Sequence, residues 1–156
     1  MTEVLLRKMA ISHYFKSFQI KSSCLAQSYI LYQFLINKGK NPKIIMGYIV
    51  NHPMRLYYGH FWVECDGEIH DIATDTYLLD FDESQHEEIK QMRRLYKCLP
   101  GRHVRGYKNI DSIEFERKRD QSYEKCLSGN FLDDVKNTAP TEIYNIIAIA
   151  HEKLSN

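Results

Sequence analysis

No two of the four cysteines stand close together in this 156-residue chain. Cys24, Cys65, Cys98 and Cys126 form no C-x-x-C pair, which argues against a zinc ribbon or a redox dithiol. No apolar run approaches the ~18 residues that span a bilayer. Residues 1–20 carry Arg7, Lys8 and Lys16 in an amphipathic pattern, which is not the core of a secretory signal. The expectation is a cytoplasmic protein with free thiols. An excess of one charge is missing too. The formal net charge is +1, so nothing global points to nucleic acid or to a membrane surface. Repeats, low-complexity runs and linkers are also absent, and the length suits one domain, 1–156, with a sizeable core.

What is present centres on Ser22 to Leu35, a stretch that predicts a helix apolar on nearly every side. Only Gln27, Ser28 and Gln33 interrupt it, and such a helix is normally buried. Ser22 or Ser23 can cap its start, while Lys38, Gly39 and Pro42 mark its end. Cys24 then sits in the first turn, where unpaired N–H groups and the helix dipole favour a thiolate. The competing reading is that Cys24 is a small core residue.

Around this helix the chain reads as α+β. Residues 2–18 predict an amphipathic helix capped by Thr2, with Val4, Leu5, Met9, Ser12 and Phe15 near helical spacing. Lys43 to Val50 and Leu56 to Cys65 read as strands, and Asp66-Gly67 as a two-residue hairpin turn into a third strand, Glu68 to Ala73. The second half reads as largely helical. Phe81 to Glu88 is acidic, Glu87 to Lys97 has helical character, and Leu99 to Tyr107 is a loop or short strand. Asp111 to Leu127 predicts a charged helix closed by Ser128-Gly129. Thr138 to Leu154 predicts a terminal helix with Ile143, Ile146, Ile147 and Ala150 on one stripe. Arg93, Arg94, Lys97, Arg102, Arg105 and Lys108 cluster with Tyr96 and Tyr107. Beside the preceding acidic run they read as a solvated face rather than a nucleic-acid contact.

Cysteine chemistry needs a thiolate, a base to carry its proton and a group to orient that base. His60 is the candidate base because it lies in an apolar strand that follows the buried helix, on one face with Trp62 and Glu64. A satisfied core histidine is the alternative. His52 beside Pro53 reads as a loop residue or substrate contact, and His70 falls on the opposite face from His60. With Asp66-Gly67 as the turn, Val63 opposes His70 and Trp62 opposes Asp71, which makes Asp71 the diagonal neighbour of His60.

Cys24 opening a helix, then Gly59-His60-Phe61-Trp62-Val63-Glu64, Asp66-Gly67 and Asp71, resembles the transglutaminase-like branch of the papain-like cysteine enzymes over about residues 20–78. The layout is most similar to the leader-peptide proteases of lasso-peptide biosynthesis. The resemblance implies a papain-like fold: a buried N-terminal helix bearing the cysteine, packed on an antiparallel β-meander, with a helical C-terminal half. It implies Cys24 as nucleophile, His60 as general base and acid, and Asp71 as its orienter. Gln19, Trp62 and His52 are candidates for oxyanion or substrate contacts. The implied reaction is acyl transfer through a thioester, on a peptide or other amide, to water or an amine, with no cofactor and no metal. Two alternatives stand beside it. One is a binding or scaffolding protein on the same fold with an idle triad. The other is zinc held by Cys24, His60 and Asp71, which lacks a short-spaced ligand pair.

Overall fold

The computed structural model describes residues 2–20, 23–51, 56–72, 102–105, 121 and 123–156. Helix α1 runs Glu3–Ser17 and α2 runs Cys24–Asn37. Strands β1 (Lys43–Asn51), β2 (Leu56–Cys65) and β3 (Glu68–His70) follow, then β4 (Arg102–Arg105). Residues 123–127 are helical, and α3 (Phe131–Thr138) and α4 (Thr141–Leu154) close the chain. The class is α+β.

Local chemistry sets most boundaries. Thr2 Oγ1 accepts from the Leu5 N–H and caps α1. The α1 end turns through Gln19 at φ 51°, with Ile20 N–H donating to the Phe15 carbonyl and Gln19 N–H to that of Lys16. α2 ends the same way through Gly39 at φ 76°, with Lys40 N–H on Leu35 and Gly39 N–H on Ile36. Both are Schellman turns, and the left-handed residue is free of strain only where it is glycine. Asp66 and Gly67 both have positive φ, 54° and 77°, as a tight hairpin with the native strand twist requires.

Among the described residues the strands form one antiparallel sheet in the order β3-β2-β1-β4. The β2–β3 register pairs Cys65 with Glu68, Glu64 with Ile69 and Val63 with His70. It is the register that a two-residue turn at Asp66-Gly67 dictates. β4 adds to the free side of β1, pairing Gly47 with Arg105 and Val50 with Arg102.

α2 is the centre of the packing, against β2, α1 and α4. Ile30, Leu31, Phe34 and Leu35 are sealed from solvent and join Ile11, Phe15, Ile44, Phe61 and Val63 in one core. α1 and α2 are also clamped by the Lys38–Glu3 ion pair at 2.8 Å and by Arg7 over the Phe34 ring at 4.7 Å.

Several expectations need correction. The buried face of α1 is Ile11, Ser12 and Phe15, whereas Leu5 and Met9 are exposed. The third strand stops at His70, short of Ala73. The terminal helix starts at Thr141, because Pro140 stands at its N-cap and Thr138 closes α3. The acidic stretch 81–88, the segment 87–97, most of 111–127, and Arg93, Arg94, Lys97 and Lys108 lie outside the described residues.

Candidate active site

The site begins with where α2 begins. Ser23 is the N-cap residue by position, but its hydroxyl caps no N–H of the first turn. It donates instead to the Ile20 carbonyl at 3.3 Å and accepts from Gln27 Nε2 at 2.8 Å. Gln27 is sealed in the core, so this buried chain holds Ser23 at the start of the helix and, with it, the neighbouring Cys24. The expected Ser23 cap is thus replaced by a tie from the helix interior to the preceding turn. One turn along from Cys24, Ser28 Oγ donates to the Phe61 carbonyl at 3.2 Å. Residues i and i+4 share a helix face, so this bond pins the Cys24 face of α2 beside His60 on β2.

His60 Nε2 lies 2.7 Å from Asp71 Oδ2. The two side chains are only 4% and 5% exposed, so this is a buried pair. Burial by itself lowers the imidazole pKa. The Asp71 carboxylate overcomes that by charge and hydrogen bond, and the Cys24 thiol adds smaller contributions of both kinds. The outcome is a pKa pushed up to about 10, so the ring is an imidazolium at neutral pH. Nε2 is engaged with Asp71, which leaves Nδ1 as the ring nitrogen available to a thiol. The ring therefore has a carboxylate on one nitrogen, and the Cys24 thiol near enough to influence its charge.

Exposure differs along this line. His60 and Asp71 are sealed, while Cys24 is only partly buried. Cys65 and Cys126 are buried, and burial raises both thiols, Cys126 to about 12. Cys98 lies outside the described residues.

Trp62 is fully buried and lies beside the His60 ring, with centroids 6.3 Å apart and planes 26° from parallel. Its Nε1–H donates to Glu64 Oε1 at 3.3 Å. The sealed indole stands as a wall beside the imidazole. Gln19 is exposed at the left-handed turn that ends α1, five residues before Cys24. His52 lies outside the described residues. His70 occupies the sheet position opposite Val63 and meets Lys8 rather than His60. Among the described residues no three of His, Cys, Asp and Glu form a group that could hold a metal ion. Nor is any described helix long and apolar enough to cross a membrane.

Sequence reasoning missed Ser23, Gln27 and Ser28 as positioning residues. The signal was there: polar side chains in an otherwise apolar helix need buried partners, and those partners define how the helix docks. No protein-family model, curated protein or solved structure matches the chain.

Proposed function

We propose that the protein is a cysteine-dependent acyl-transfer enzyme acting on a peptide or other amide, with a transglutaminase-like, papain-like arrangement of Cys24, His60 and Asp71. The observation that carries this reading is the His60 ring, held by the buried Asp71 carboxylate at 2.7 Å, with the partly buried Cys24 thiol near enough to raise the pKa of the ring. A purely structural histidine has no need of a partly exposed thiol beside it.

In this reading the Sγ proton already rests on the His60 imidazolium, at Nδ1, and the sulfur attacks the substrate carbonyl carbon. The oxyanion that forms faces the first-turn N–H groups of α2, beginning with that of Cys24, and the Gln19 amide from the turn before it. His60 Nδ1–H then protonates the departing amine, the C–N bond breaks, and a thioester remains on Cys24. Water or a second amine attacks the thioester carbonyl, its proton passes to His60 Nδ1, the C–S bond breaks to release the acid or new amide, and the starting Cys24–His60 pair is restored. Asp71 keeps Nδ1 aimed at sulfur throughout and stabilises the imidazolium.

The test is to trap the thioester. Incubation with activated acyl donors followed by peptide mass mapping should place one acyl group on Cys24, which added hydroxylamine removes. Cys24→Ala should abolish the adduct, and His60→Ala should reduce its rate by about a hundredfold or more. An adduct spread over several cysteines, or one that forms equally fast in His60→Ala, overturns the reading in favour of a non-catalytic protein on this fold.

A further inference from the structure

At the other end of α2, the N-terminal half of α1 and the β2–β3 hairpin enclose a cleft of about 480 Å³. Leu35 lines it, roughly 16 Å along the helix from Cys24 at 1.5 Å of rise per residue. The volume is that of a small-molecule site. Val4 and Leu5 give it an aliphatic wall, with the sealed Leu35 behind them.

Its charges are arranged around one histidine. Lys8 Nζ, from α1, donates to His70 Nδ1 at 3.2 Å. The Glu68 carboxylate lies 3.8 Å from the other ring nitrogen, Nε2. Burial, and the ammonium of Lys8, hold the His70 pKa below its ordinary value, so the ring is neutral at pH 7 and compensates neither charge. The second ammonium of the cleft, Lys40, is already paired with Asp66 at 3.4 Å. Lys38 and Lys125 likewise have carboxylate partners, at 2.8 and 2.6 Å. Among the described residues Lys8 has none. A partly buried ammonium and a carboxylate thus stand on either side of a neutral imidazole, next to an aliphatic wall. A ligand with only an anionic group meets repulsion from Glu68 and Asp66, and one with only a cationic group meets Lys8.

We propose that this cleft binds a small aliphatic zwitterion, with its carboxylate on Lys8, its ammonium on Glu68 and its side chain against Val4 and Leu5. A free aliphatic amino acid and a dipeptide of two such residues share this chemistry.

The full chain would be titrated calorimetrically with leucine and leucyl-leucine, and with leucinamide and N-acetylleucine, which each lack one charge. At least one zwitterion should bind at millimolar concentration or below, and the tighter of the two identifies the source. Both blocked analogues should bind at least about tenfold more weakly, about 1.4 kcal/mol. Lys8→Met and Glu68→Gln should each cause a similar loss, while Lys8→Arg should retain binding. If Lys8→Met fails to fold, the comparison of analogues on the wild-type protein decides alone. No heat from either zwitterion at about 10 mM, or equal binding of the blocked analogues, overturns the proposal. So does undiminished binding by a folded Lys8→Met protein.

Discussion

The Asp71 carboxylate meets His60 Nε2 at 2.7 Å from just beyond the end of β3, which stops at His70. The pairing of Val63 with His70 sets where the chain leaves the sheet, and the next residue is delivered to the imidazole. One residue of slip in the hairpin would send Asp71 to the other face.

That relationship predicts a coupled pair. In the proposed reaction Asp71→Asn should slow thioester formation by about a hundredfold or more, yet cost nothing further in a His60→Ala background. Independent, additive losses in the double mutant would mean that Asp71 does not act through His60.

The same substitution should reverse the titration of the ring. Burial is the largest influence on His60 and opposes its charge, while the carboxylate supplies the opposing attraction. With Asp71→Asn, burial wins, and the His60 resonance followed by NMR should titrate below its ordinary 6.5 rather than at about 10. A midpoint that stays well above neutrality would show that another group holds the proton.

Stability should follow pH accordingly. The folded-state pKa of His60 lies above its unfolded value, so its contribution is complete below about pH 6.5 and is lost as pH rises through about 10. His70 has the opposite sign: its pKa is lowered on folding, and it withdraws stability as pH falls below its unfolded value. Urea denaturation of wild type against His60→Gln should show their difference shrinking between pH 6.5 and 10, by at most about 1.4 kcal/mol per pH unit. A pH-independent difference would contradict the buried ion pair.

Much of this was readable from the residues. Thr2, Gly39 and Asp66-Gly67 act through local backbone chemistry, and each marks the boundary or turn that it implied. Other features depend on partners distant in sequence. β4 joins β1 across a separation of more than fifty residues, which no periodicity encodes. Ser23 has the composition of a cap, but a buried Gln27 recruits its hydroxyl instead. α3 was hidden because Thr138 looked like the beginning of the next helix; the signals were Asp133 and Asp134 in a first turn, with Phe131 and Val135 one turn apart. The site itself was legible in part: the spacing of Asp71 follows from the hairpin, whereas the docking of Cys24 depends on Ser28 meeting Phe61.

Gln19 offers a separate test, because its backbone and side chain pull in different directions. A non-glycine residue at φ 51° is strained by about 1 kcal/mol, so Gln19→Gly should stabilise the fold by that amount. If its amide meets the oxyanion, the same variant should turn over roughly tenfold more slowly. A more stable protein with unchanged turnover would remove Gln19 from the reaction.

The most direct measurement is the alkylation rate of Cys24 by iodoacetamide, read by mass spectrometry from pH 5 to 10.5 in wild type and in His60→Ala. Comparing one residue with itself removes the difference in exposure that separates it from Cys65 and Cys126. If His60 takes the thiol proton, wild type should react at least about tenfold faster than His60→Ala near pH 6. The two rates should converge near pH 10, where the imidazolium is lost. Superimposable profiles across the whole range would contradict the account at its centre.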